Sequence, residues 1–275
     1  MIKESIGSFW RTTRALFSDR GSLAIFAGLY ALFLAALYGF IATREATVWQ
    51  ILLTLLFLAT APAIFFLLQA AIINYARARR FEWSRVLRDS TKFALLAVPV
   101  ILIGLGVMWL LNRWQAHFPA PPGNPAPLLS APAAAPMHWP TVLFATLRAL
   151  IFGIVLPLAL IQLWVEAAGQ NMRAFVRGGG RASLIRLGQI LARAFAPRSV
   201  FIYALGLVIF GLIPYVLLFV HLPVKGAWSE MSIFTVRLAL VFLFILLGWL
   251  ITLGTFARSE GLAVASVEPQ AEESV

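Results

Sequence analysis

The run Arg173-Ala-Phe-Val-Arg177-Gly-Gly-Gly-Arg181-Ala-Ser-Leu-Ile-Arg186-Leu-Gly-Gln-Ile-Leu-Ala-Arg193-Ala-Phe-Ala-Pro-Arg198 holds six arginines and no acid, and it lies between two long apolar runs. Looser versions stand at 2–20 and 77–92, each directly before another pair of apolar runs. In the quoted run Leu184, Leu187, Leu191 and Phe195 fall on one helical stripe, and Arg181, Arg186, Gln189 and Arg193 on another. Residues 2–17 repeat the pattern, with Ile2, Ile6, Phe9, Trp10, Thr13, Leu16 and Phe17 opposite Lys3, Gly7, Arg11 and Arg14. In 77–92, Trp83, Val86, Leu87 and Ser90 oppose Glu82, Arg85, Arg88, Asp89 and Lys92. Basic faces beside apolar ones suit helices lying in the headgroup plane of a membrane.

Composition agrees with a membrane setting. The chain is 61% hydrophobic and 12% charged, whereas a soluble domain carries about 25% charged residues. Runs near 20 residues with few charges are long enough to cross a bilayer. Spans are expected at 22–42, 47–76, 93–111, 141–168, 199–220 and 231–257. The fold class that follows is all-α: a polytopic membrane protein whose six transmembrane helices form three hairpins, each preceded by a basic amphipathic interfacial helix. Residues 1–258 read as a single transmembrane domain. Within it, 113–140 is a Pro/Ala-rich external loop, low in complexity and expected to be disordered. Residues 259–275 read as a disordered tail with Glu260, Glu268, Glu272 and Glu273 and no base.

The net charge of +11 raises nucleic acid as a partner, but the positions of the charges oppose it. Lys3, Arg11, Arg14 and Arg20, the bases of 77–92, the six arginines of 173–198 and Arg258 all fall on one side of a six-span arrangement. Arg44, Arg113 and Lys225 fall on the other, and Arg148 and Arg237 lie inside spans. The bias places both termini in the cytoplasm of a bacterial inner membrane. A basic rim attracts anionic lipid headgroups, and no nucleic-acid motif accompanies it. The apolar run at 22–42 is longer than a signal-peptide core and is read as an uncleaved first span. With no cysteine in the chain, disulfides and thiolate chemistry are excluded.

The order of basic segment, span, outer turn and span occurs three times, which reads as a parallel internal repeat. Residues 14–22 align with 193–199 if two residues are gapped, and Pro62 and Pro157 occupy similar places in their hairpins. In this order of parts the chain resembles the six-span membrane domains found beside glycerophosphodiester phosphodiesterases and their stand-alone relatives, a family of unknown function. The resemblance covers most of the chain and carries no specific motif. It does not bring the phosphodiesterase activity with it.

Ionisable groups within spans cost several kcal/mol and are candidates for function. Arg148 stands nine residues beyond Trp139, about 13 Å into the layer at 1.5 Å per residue, and Arg237 has a comparable place in the last span. Two readings are open for this pair: a shared anion or lipid-phosphate site, or snorkelling to the outer interface. Gln69, Asn74, Gln162 and Glu166 could line an inner polar vestibule, or bond between helices. Arg11, Arg14, Arg85, Arg88, Arg181, Arg186 and Arg193 are the expected contacts to membrane-surface lipids. Ala27, Ala31, Ala35 and Gly39 form a small-residue ladder, fit either for packing within the monomer or for a homo-oligomer contact. Gly178-Gly179-Gly180 has no preceding strand or following Lys-Ser/Thr and reads as a joint, not a phosphate loop. His117, His138 and His221 lack metal-ligand spacing, and no Gly-x-Ser-x-Gly or paired carboxylates occur. No catalytic residue, metal or cofactor is expected. The reading is a non-enzymatic, lipid-interacting protein, with a small transporter or channel for an anionic or lipid substrate as the alternative.

Overall fold

The computed structural model describes residues 2–43, 47–119, 138–168, 188–189, 192–220 and 226–265. Among them there are helices, turns and irregular segments, and no strand. Helix α1 is Ile2–Phe17, α2 Arg20–Ala42, α3 Val48–Ala78 and α4 Trp83–Gln115. Helix α5 is Trp139–Ala168 and α6 Pro197–Phe219; α7 is Ala227–Ala265. Helices α2 to α7 each contain a stretch long and apolar enough to cross a membrane.

Local chemistry sets the ends of these helices. Asp19 caps α2, accepting from the Ser22 N–H at 3.1 Å, and Thr47 caps α3 through the Gln50 N–H. Helix α3 closes on Arg79 in the left-handed conformation (φ 58°). No proline or glycine interrupts the chain from Trp83 to Val98, so the first turns of α4 run straight into its apolar part. The separate interfacial helix expected at 77–92 is therefore not formed. Helix α7 likewise continues through Ser259 to Ala265, making the start of the expected tail helical. Residues 266–275 lie outside the described residues.

Contacts pair the long helices in opposite directions. Between α2 and α3, Phe33 meets Phe65 and Phe26 meets Tyr75, and Gly39 lies against the Phe57 ring. Between α4 and α5, Phe93 stacks on Trp164, Gly104 faces Leu156 and Asn112 bonds Arg148. Between α6 and α7, Gly206 faces Thr252 and Gly248 faces Phe210. In each pair one number rises as the other falls.

Helix α3 is the hub: Leu68 through Tyr75 are all buried, surrounded by α2, α4, α5 and α7. Trp164, Val165, Leu250, Leu253, Phe256 and Ala257 complete the core. It occupies the end of the bundle where α3, α5 and α7 finish. Toward the other end, Leu52, Leu55, Leu102, Leu105, Val208 and Leu243 are exposed. A water-soluble protein avoids so wide an apolar surface, whereas lipid tails solvate it.

Prolines bend two helices. A π turn at Ile151–Val155 precedes Pro157, and another at Val208–Leu212 precedes Pro214. A proline lacks the N–H that would bond the carbonyl four residues back, and widening one turn relieves the clash. For Pro157 that carbonyl is Gly153's, and the Tyr203 hydroxyl of α6 donates to it at 2.7 Å. The freed backbone group thereby becomes a tie between α5 and α6.

Candidate functional site

One end of the bundle collects the starts of α2, α4 and α6 and the finishes of α3, α5 and α7. The Tyr75 hydroxyl donates to Asp19 at 2.8 Å, joining α3 to the turn before α2. Arg77 donates to the Val165 carbonyl at 2.6 Å, joining α3 to the last turn of α5. Gln162 donates to the Ser199 hydroxyl at 3.3 Å, joining α5 to α6. Arg258, on α7, donates to the Arg11 carbonyl at 3.5 Å. Arg20, Arg80, Arg85, Arg88, Arg193 and Arg198 surround the same end, whereas Arg113, Arg148 and Arg237 lie toward the opposite ends of their helices.

The segment before α4 is partly neutralised. Arg80 and Arg85 pair with Glu82 at 2.9 and 3.3 Å, and Lys92 pairs with the buried Asp89 at 2.7 Å. Arg88 has no partner among the described residues, nor has Arg14, which is exposed on α1. Arg193 reaches Glu166 at 3.5 Å. Arg181 and Arg186, with most of the third basic segment, lie outside the described residues.

Helix α1 departs from the expected two-faced form. Ser5, Thr12 and Leu16 are buried and Phe9 is half-buried, with Phe9 against Phe210 of α6 and Thr12 against Gly254 of α7. Ile6, Trp10 and Phe17 stay exposed on a second stripe, Lys3, Arg11 and Arg14 on a third. One apolar face was expected, and the bundle has divided it. Phe9 and Leu16 pack inward while Ile6, Trp10 and Phe17 face outward.

Of Gln69, Asn74, Gln162 and Glu166, three bond to a neighbouring segment. Asn74 is buried, and its carbonyl oxygen accepts the Glu82 N–H. Gln162 and Glu166 are taken up by Ser199 and Arg193, as above. Gln69 is 0% exposed, and neither of its amide atoms has a protein partner.

The two span arginines also part company. Arg148, half-buried, donates to Asn112 Oδ1 at 2.7 Å and Gln115 Oε1 at 2.5 Å, both on α4. Its guanidinium thereby links α4 to α5. Arg237 has no partner among the described residues, and nothing bonds it to Arg148. A groove of about 440 Å³, apolar, lies between Phe118 and the start of α5. His117 and His138 bond to the Arg113 carbonyl and the Thr141 hydroxyl. No group of three potential metal ligands forms among the described residues.

Sequence reasoning missed a cluster at the junction of α1, α3 and α7. Arg79 donates to the Ala15 carbonyl at 3.4 Å and lies over the Tyr75 ring, 5.8 Å from its centre. Arg258 and Arg79 line one narrow recess of about 10 Å³ together with Thr12 and Tyr75. Arg79 is the only described residue besides glycine with positive φ, a conformation that costs a side-chain-bearing residue roughly 1–2 kcal/mol and at a helix end normally falls to glycine. Asp19, bonded to Tyr75, is held at about 2, below its ordinary 3.8, by the Ser22 hydroxyl first, then the Tyr75 hydroxyl and the Ser22 N–H. The signal available in the sequence was an arginine standing where α3 needed a C-terminal glycine. Similarity searches returned no family model, no curated protein and no solved structure matching this chain.

Proposed function

We propose that this chain is a non-enzymatic, multi-pass protein of the bacterial inner membrane that holds anionic lipid headgroups along its basic end. In this reading α2/α3, α4/α5 and α6/α7 are three membrane hairpins of the kind the glycerophosphodiester phosphodiesterase membrane domains resemble. Both termini face the cytoplasm, and α1 lies at the inner headgroup boundary with Ile6, Trp10 and Phe17 toward acyl chains. The observation that carries it is the gathering of arginines around the single end where α3, α5 and α7 finish, with too few carboxylates to neutralise them. Basic groups at a membrane surface attract anionic lipid by about 1 kcal/mol each. Exposed tryptophans at the opposite end, among them Trp49, Trp109, Trp139 and Trp228, fit an outer interfacial belt.

The transporter reading requires Arg148 in a cavity. Its engagement with Asn112 and Gln115 favours the lipid-binding reading instead.

The test is lipid retention by the purified chain in neutral detergent, read by native mass spectrometry with phosphatidylglycerol and phosphatidylcholine. We expect phosphatidylglycerol to be retained preferentially, and the preference to fall when Arg14, Arg85 and Arg88 are changed together to Gln. Equal retention of the two lipids by the unaltered chain would sink the reading.

A further inference from the structure

We infer that Arg11, Arg79 and Arg258 form a discrete site for a phosphate-bearing anion at the junction of α1, α3 and α7. The inference deepens the lipid-binding reading and rests on that end of the bundle facing anionic headgroups.

Three elements far apart in sequence bring these guanidinium groups together. Arg79 and Arg258 line the same recess, and Arg258 lies within electrostatic range of both Arg79 and Arg11. Their bonds are few and all go to helix carbonyls: Arg11 to Gly7 at 3.2 Å, Arg79 to Ala15 at 3.4 Å and Arg258 to Arg11 at 3.5 Å. A guanidinium carries five N–H donors, so most remain unused in each. No carboxylate among the described residues bonds any of the three. The contrast is local, since Arg80, Arg85 and Lys92 on the neighbouring segment each have an acid.

The nearby negative charge does not balance them. The C-termini of α1 and of α3, which ends at Arg79, each carry about half a negative charge, and Asp19, bonded to Tyr75, supplies one more. Against three guanidinium groups, a surplus of about one positive charge remains. A phosphate supplies charge of that size and two or more acceptor oxygens, and arginine forks match it geometrically.

The recess holds no more than a water-sized body, so the phosphate sits at its mouth. There Arg79 is exposed and Arg258 half-buried, and Arg11, also exposed, is next in the chain to Thr12, which lines the recess. Tyr75 and Thr12 form the floor. The backbone at Arg79 is the second, independent sign. Glycine would relax the positive φ, yet arginine stands there, with its side chain directed over Tyr75 toward α1. The donor set accepts either a lipid phosphodiester or a soluble phosphomonoester.

That backbone makes a clean test, because Arg79→Gly removes the guanidinium while relieving strain and should leave the fold intact. The full chain and the variants Arg79→Gly, Arg79→Lys and Arg258→Gln would be compared in neutral detergent. Melting temperature would be followed alongside affinity for phosphatidylglycerol, phosphatidylcholine and glycerol 1-phosphate. We expect Arg79→Gly and Arg258→Gln to melt like the unaltered chain yet bind phosphatidylglycerol at least tenfold more weakly, with Arg79→Lys between. Arginine-dependent binding confined to phosphatidylglycerol assigns the site to a headgroup. Equal arginine-dependent binding of glycerol 1-phosphate assigns it to a free anion.

The site is overturned if the unaltered chain prefers phosphatidylglycerol and both variants keep that preference. In that case the wider lipid-binding reading survives. If the unaltered chain prefers neither lipid and binds no glycerol 1-phosphate, both fall.

Discussion

At the residue scale, two polar contacts carry consequences out of proportion to their size. The Gly153 carbonyl, freed by Pro157, accepts from Tyr203 across the α5–α6 junction. Interhelical hydrogen bonds within membranes average about 0.6 kcal/mol and reach about 1.7. We expect Tyr203→Phe to destabilise by that range in reversible unfolding from mixed micelles. The effect should shrink in a Pro157→Ala background, where the helix can satisfy its own carbonyl; equal losses in both backgrounds would refute the tie. Asp19 makes a pH-dependent contribution. Its folded value of about 2 lies below the ordinary 3.8, so folding favours the ionised form. The stabilisation is complete above about pH 4 and is lost as pH falls toward 2. Between pH 5 and 2.5 the melting temperature should therefore drop further for the unaltered chain than for Asp19→Asn. Parallel pH curves would contradict this.

At the scale of elements, small residues decide how closely helices approach. Ala27, Ala31 and Ala35 are exposed on α2, and only Gly39 of that ladder packs inward, against Phe57. The closest approaches are instead at Gly206 and Gly248, where an added Cβ would run into Thr252 and Phe210. Gly248→Ala should cost about 1–3 kcal/mol through overpacking, measured by thermal unfolding in detergent. Ala31→Leu should stay within about 0.5 kcal/mol, as an exposed change does. If Ala31→Leu proves the more damaging, the exposed ladder must meet a second copy of the chain.

At the scale of the whole molecule, orientation is the property most directly testable. The chain has no cysteine, so single cysteines report without background. With a membrane-impermeant maleimide on intact spheroplasts, Ser130→Cys in the α4–α5 connection should label and Ser84→Cys at the start of α4 should not. Permeabilisation should expose Ser84→Cys. The opposite pattern would invert the proposed topology and move the basic end to the outer face.

Length and apolarity determined the helical class and the number of candidate spans, because bilayer thickness is read from consecutive residues and needs no long-range information. The same pattern placed the arginines in three blocks. It could not say which of them would meet acids. Arg80 and Arg85 find Glu82 a few residues away, whereas Arg11, Arg79 and Arg258 are brought together only by the packing of α1 across α3 and α7. The division of α1 into three stripes was hidden for a related reason: periodicity separates apolar from polar, but only a neighbour separates what faces protein from what faces lipid. Arg148 shows the limit most plainly. Its depth in the span could be counted from Trp139, while its engagement with Asn112 and Gln115 depends on the antiparallel register of α4 and α5, which is set by side-chain packing between segments that no local spacing connects.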